Sequence, residues 1–154
     1  MRMRFALVGL TLVLAAGTAR GQEAAPAAGD GYAWTAACQE CHADIYDAWA
    51  KTKHAKTFDR LNSDERKTPC AACHVTGPKQ AIDVEGKIVN ANVGCESCHG
   101  AGAAHIQSAR AGSGKGPIKH GADQALCETC HNDKSPHYRG FFYGALVGLV
   151  HKTK

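Results

Sequence analysis

Aliphatic side chains and phenylalanine are scarce in this sequence. Between Gln22 and Lys154 it holds 5 Ile, 4 Leu, 6 Val and 3 Phe, 18 of 133 residues. A chain in which these types fall below about 20% ordinarily cannot bury enough apolar surface to fold. High net charge, the other mark of disorder, is missing as well. In the same stretch 15 basic residues stand against 14 acidic ones, because Arg2, Arg4 and Arg20 supply most of the formal +4 of the whole sequence. Near-neutrality excludes a nucleic-acid or anionic-membrane binder held by bulk charge. Methionine is absent beyond Met3, and no apolar run reaches the ~20 residues of a membrane span. Either something other than aliphatic side chains fills the interior, or the chain stays disordered.

The longest apolar run, 5–16, follows two arginines and precedes small residues in MRMRFALVGLTLVLAAGTARGQ. That pattern predicts a secretory signal peptide, cleaved after Ala19 or Gly21. Three parts are therefore expected. Residues 1–21 form the signal peptide, and 22–33 (QEAAPAAGDGYA) a flexible lead-in. Residues 34–154 form one domain, exported to the periplasm without stable membrane insertion once the signal is removed. The second apolar run, FFYGALVGLV at 141–150, is too short to span a bilayer and is expected to pack inside the protein.

Cysteine, by contrast, is abundant and ordered. All eight residues fall in one pattern, C-x-x-C-H, which occurs four times. Cys38, Cys41 and His42 form the first copy; Cys70, Cys73 and His74 the second. Cys95, Cys98 and His99 form the third; Cys127, Cys130 and His131 the fourth. This is the attachment pattern of c-type haem. One helical turn offers both thiols to the two vinyl groups of a single porphyrin, and the next residue brings an imidazole under the iron. A redox disulfide or a four-thiolate zinc site would also use paired cysteines. Neither needs a histidine directly after the second one, and here it follows every time. Four covalently bound haem c groups are expected, and they answer the shortage of apolar bulk. The haem-free chain should then be largely unfolded, as where cofactor binding is itself folding energy.

Each iron has a second axial position. Without methionine beyond Met3, histidine–methionine ligation is excluded, which places the haems toward the low end of a range of about 0.8 V. Five histidines remain for four positions: His54, His105, His120, His137 and His151. His105 lies too close in sequence to His99 to swing round the same porphyrin, so it is expected to serve a neighbouring haem.

Between the motifs the signals are weaker. The stretch 38–61 is expected to be helical, with Ile45, Trp49, Thr52 and Lys56 on one face and His54 displaced from it. Residues 75–94 carry a weak hairpin pattern. GSGKG at 112–116 lacks the Ser or Thr and the spacing of a phosphate loop and reads as a flexible loop. Lys51, Lys53, Lys56 and Arg60 read as a solvated helix face, the alternative being a docking patch for an acidic redox partner. The proximal histidines are 32, 25 and 32 residues apart, but the intervening sequences differ, so the haem site repeats and the fold does not.

With these residues in hand, the chain resembles the tetrahaem cytochrome c-554 family of periplasmic multihaem c-type cytochromes. The resemblance runs from Cys38 to His151. It rests on WAKTKHAKTF after the first motif, CHVTG at the second, VGCESCHGAGAAH at the third and LCETCHNDKSPHY at the fourth, followed by an aromatic stretch ending in His151. It implies a mainly α fold, a small multihaem cytochrome with short helices and long loops wrapped around stacked haems. It further implies that His54, His105 and His151 are distal ligands of three bis-histidine haems, leaving the haem at Cys70–His74 five-coordinate. The chain departs from the pattern by offering His120 and His137, either of which could cap the fourth iron, and it is short for the group. The function implied is the carriage of single electrons between redox proteins through low-potential, mostly bis-histidine haems. Its rival is reduction of a small molecule, of nitric oxide or nitrite type, at a five-coordinate haem.

Overall fold

The computed structural model describes residues 31–77, 80–82 and 85–151. The expected signal peptide and most of the lead-in lie outside them. The fold is mainly helical, built from short pieces joined by long loops. Six α-helices follow in order: α1 (Trp34–Cys38), α2 (Ala43–Ala50), α3 (Cys95–His99), α4 (Ala103–Arg110), α5 (Gln124–Glu128) and α6 (Tyr143–Leu146). Single 3₁₀ turns at His54–Lys56, Phe58–Arg60, Glu65–Lys67, Pro69–Cys73 and Val147–Leu149 complete the described set. None of these helices is long and apolar enough to cross a membrane.

The continuous helix expected over 38–61 is replaced by α2 and two separate turns. His42 leaves helical geometry at φ −123°, ψ 43°. Beyond Ala50, threonine side chains take over backbone hydrogen bonds: Thr52 Oγ1 accepts from Ala55 N at 3.4 Å, and Thr57 Oγ1 donates to His54 O at 3.1 Å. Short hydroxyl side chains compete with the helix in this way. The 75–94 segment does fold back on itself, with antiparallel bridges at Val75–Ala91 and Ile82–Ile88.

The polypeptide's own apolar core is very small. Among the described residues only Phe58, Leu61, Ala71 and Val75 are buried hydrophobics, with Ile88 and Ala91 packed against them. The Arg66 guanidinium lies 4.9 Å over the Phe58 ring. Polar bonds do the joining next to it. Buried Asn90 donates to Thr76 O at 2.6 Å and accepts from Ala81 N at 2.8 Å. Thr76 Oγ1 donates to Asn92 O at 2.9 Å and accepts from Gly94 N at 2.8 Å. Thr76 and Asn90 are 1% and 2% exposed, so each buried polar group has the partner that burial requires.

α1 packs against α3, and Gly94 makes the approach possible. A Cβ at Gly94 would overlap Thr35 Oγ1 and lie 2.9 Å from Thr76 Oγ1. Trp34, the first residue of α1, sits at φ 63°, a left-handed geometry that costs a bulky L-residue roughly 1–2 kcal/mol. Two contacts hold it there. Its ring stacks on Tyr32 at 5.6 Å, and its N–H donates to Glu96 Oε2 at 2.7 Å.

The C-terminal run departs from expectation. Phe142 and Leu149 are 76% and 70% exposed, and Leu146 and Val147 are exposed too. Four buried side chains make too small a core for this segment to join. It is anchored by Phe141, stacked on His131 at 4.7 Å, and by Tyr143, whose hydroxyl donates to Ala122 O at 2.7 Å.

Candidate haem-binding sites

Each C-x-x-C-H motif closes a single helical turn. At the first, His42 N donates to Cys38 O at 3.0 Å; at the fourth, His131 N donates to Cys127 O at 3.0 Å. The third motif is α3 itself. The second is a tighter 3₁₀ turn with Pro69 in its first turn and Thr68 Oγ1 accepting from Cys70 N at 3.3 Å. α5 is capped by Asp123, whose Oδ1 accepts from Leu126 N at 2.8 Å. A turn of this kind puts both thiols on one side and the imidazole after them.

All eight cysteines are free thiols, and the turns bring thiols from different motifs together. Cys38 lies within hydrogen-bonding reach of Cys95, and Cys73 of Cys130. Donation to Cys95, and then burial, pushes the Cys38 thiol far up, while the same bond holds Cys95 below its ordinary value. Burial first, and Cys130 second, raise Cys73 to about 11. Burial, and then the thiols of Cys127, Cys95 and Cys130, raise Cys98, and burial, and then Asp123, raise Cys127. The first motif thus adjoins the third, and the second adjoins the fourth.

The histidines are paired across the chain. His105 on α4 faces His42, with ring centres 6.3 Å apart and planes at 18°. His54 faces His131 at 6.0 Å and 63°; His151 faces His99 at 6.1 Å and 24°. His105 therefore stands opposite the first motif and not beside its sequence neighbour His99. His74 has no facing imidazole among the described residues. His120 and His137 are exposed, and neither ring is paired with another imidazole among the described residues. His120 lines an open cleft with Asp123, Leu126 and Tyr143.

Backbone carbonyls orient several rings. Nδ1 of His74 bonds Thr57 O at 2.7 Å, Nδ1 of His99 bonds Lys119 O at 2.7 Å, and Nδ1 of His105 bonds Lys115 O. With the proton on Nδ1, each ring presents a bare Nε2 lone pair, the arrangement that metal-ligating histidines use. Burial, and then the charge of His131, lowers the pKa of His54 and favours its neutral form. The donor set of thiol pairs, following imidazoles and a second imidazole opposite three of them fits covalent haem.

One structural residue was invisible to sequence reasoning. Glu96, inside the third motif, is 3% exposed. Its carboxylate accepts three backbone N–H groups: Ala33 at 2.8 Å, Trp34 at 2.7 Å and Gly102 at 2.7 Å. Its one sequence signal is the neighbouring GAG turn at 100–102, where glycine leaves room for close approach.

Comparison with known proteins bears on the same residues. Residues 37–100 match the family model described as cytochrome c554 and c-prime. Cytochrome c-554 from Nitrosomonas europaea (strain ATCC 19718) is 28% identical over 128 residues, an alignment covering 61% of this chain and 54% of the relative. The chain thus spans about half the length of that curated relative. Among solved structures, the reduced state of cytochrome c554 from Nitrosomonas europaea is similar at a TM-score of 0.44 and 24% identity, covering 79% of this chain and 78% of the other. The outer cell wall cytochrome OcwA is similar at a TM-score of 0.44 and 17% identity, covering 80% of this chain and 44% of the other. The match at 37–100 takes in the first three motifs, and over that stretch the chain is similar to the cytochrome c554 and c-prime family.

Proposed function

We propose that the chain is a periplasmic tetrahaem c-type cytochrome that carries single electrons between redox proteins. The observation that carries this reading is the pairing of His42 with His105, His131 with His54 and His99 with His151, at 6.3, 6.0 and 6.1 Å. Two imidazoles on opposite sides of one metal, with metal–nitrogen bonds of about 2 Å, have ring centres about 6 Å apart. On this reading Cys38 and Cys41, Cys70 and Cys73, Cys95 and Cys98, and Cys127 and Cys130 each hold one haem through thioethers. His42, His74, His99 and His131 are the proximal ligands, and His54, His105 and His151 the distal ones. His120 and His137, exposed and unpaired with other imidazoles, serve no iron.

Bound at these positions, haem supplies a one-electron ferric–ferrous couple. The chain's part is to keep that couple undisturbed. The Nδ1 bonds to the Thr57, Lys115 and Lys119 carbonyls would hold the rings of His74, His105 and His99 in one orientation toward the bound group. Ligation by histidine alone holds the potentials low. The adjacency of Cys38 to Cys95 and of Cys73 to Cys130 sets attached cofactors close together and keeps the electron's path short. Residues 1–21 serve as the export signal.

A second reading has one specific support. His74 has no imidazole opposite it among the described residues, so an iron there would keep an open position at which a small molecule of nitric oxide or nitrite type could be reduced. Electron paramagnetic resonance of the oxidised holoprotein tests both. Low-spin iron at three sites with one high-spin iron supports the assigned pairs and an open second site. Four low-spin irons make a carrier alone, and predominantly high-spin iron overturns the pairing.

A further inference from the structure

Glu96 belongs to the third motif by sequence, yet its bonds serve the first. Oε2 accepts from Trp34 N, the first residue of α1, and Oε1 accepts from Ala33 N just before it. α1 is five residues long and ends at Cys38, so fixing its start fixes the thiol at its end. Oε1 also accepts from Gly102 N, the residue that precedes α4. α4 carries His105, whose ring faces His42 at 6.3 Å. Both halves of the first site, the turn that bears the thiols and the helix that bears the facing imidazole, therefore hang on one buried carboxylate. The far end of α4 is tied to the same turn by Arg110, whose guanidinium lies 2.6 Å from Glu40 Oε2 within CQECH.

Two features argue against a packing role alone. A carboxylate has only acceptors to offer, and the three hydrogen bonds it accepts among the described residues all come from backbone N–H groups. One of those donors belongs to Trp34, held at φ 63°, a conformation a bulky residue keeps only when its surroundings enforce it.

We infer that Glu96, carried in the third C-x-x-C-H turn, is a positioning residue for the first haem site, holding α1 and α4 so that His105 meets the iron bound at Cys38–His42. The inference rests on the proposed ligation of that site. It couples two cofactors: the turn that binds the third haem also sets the distal ligand of the first.

The test is the spin state of the oxidised holoprotein in Glu96→Gln, His105→Ala and the double variant. Gln keeps the size of Glu and replaces one acceptor oxygen by an NH₂ donor, which a pure packing role would tolerate. Glu96→Gln is expected to produce a high-spin signal beyond that of the unaltered protein, approaching one iron per molecule. His105→Ala should give about one such iron, and the double variant no more than His105→Ala alone, because both act on one ligand. An unchanged spectrum in Glu96→Gln, beside a changed one in His105→Ala, overturns the inference and leaves the ligation standing. An unchanged spectrum in His105→Ala overturns the ligation, and this inference with it. If Glu96→Gln does not mature, Glu96→Asp, with its charge kept and its reach shortened, is judged by the same two outcomes.

Discussion

His54, His105 and His151 reach their partners by different routes: one from a 3₁₀ turn, one from α4 and one from the end of the described chain. On the proposed ligation each is worth one axial bond, so the three are testable singly. Replacing His54 or His151 by alanine should each add about one high-spin iron to the oxidised spectrum, whereas His120→Ala and His137→Ala should leave it unchanged. A spectral change in either of the last two would return them to the ligand set. Gly94→Ala tests packing independently of ligation. The added Cβ would overlap Thr35 Oγ1, and overpacking of this kind costs about 1–3 kcal/mol. Thermal melting of the holoprotein should show a clear fall in Tm; an unchanged Tm would mean that α1 moves aside freely. At this scale the residues that stood out in the sequence were the cysteine pairs and the histidines, whose side chains are distinctive by type. The carbonyls of Thr57, Lys115 and Lys119 were not legible, because every residue has one and only the fold selects which faces a ring. Glu96 was hidden for a related reason: its partners are backbone groups.

Helices of four to eight residues are far below the ~12–15 at which an isolated helix becomes marginally stable, so something outside each helix must hold it. For α1 and α4 that is Glu96; for α5 it is Asp123. The turn at each motif was readable in advance because two attachment points three residues apart require it. The break of 38–61 into α2 and two turns was not, since it depends on threonine hydroxyls that compete with the backbone only in context. The segment 141–150 is the sharpest departure. Its apolar residues read as core, and Phe142 and Leu149 are mostly exposed in the polypeptide. If haem faces cover them, amide hydrogen exchange across 141–150 will be slow in the holoprotein and fast in chain prepared without haem. Equal exchange in the two would assign these side chains to some other surface.

For the molecule as a whole, the scarcity of Ile, Leu, Val and Phe and the four-residue apolar core are one fact met twice. The sequence made the shortage visible; the structure locates the small core at the second motif, whose Ala71 belongs to it, and leaves the turns of the other three motifs outside it. Cofactor bulk closes that gap on the proposed reading, and circular dichroism should then show most helical signal lost in chain expressed without haem attachment. Retention of native ellipticity would mean the polypeptide folds unaided. The most direct measurement of the central claim is the intact mass of the exported protein under denaturing conditions. The expected mass is that of the chain beyond residue 21 plus four haem groups, one for each C-x-x-C-H motif. A mass equal to the bare polypeptide, from a colourless sample, would contradict it.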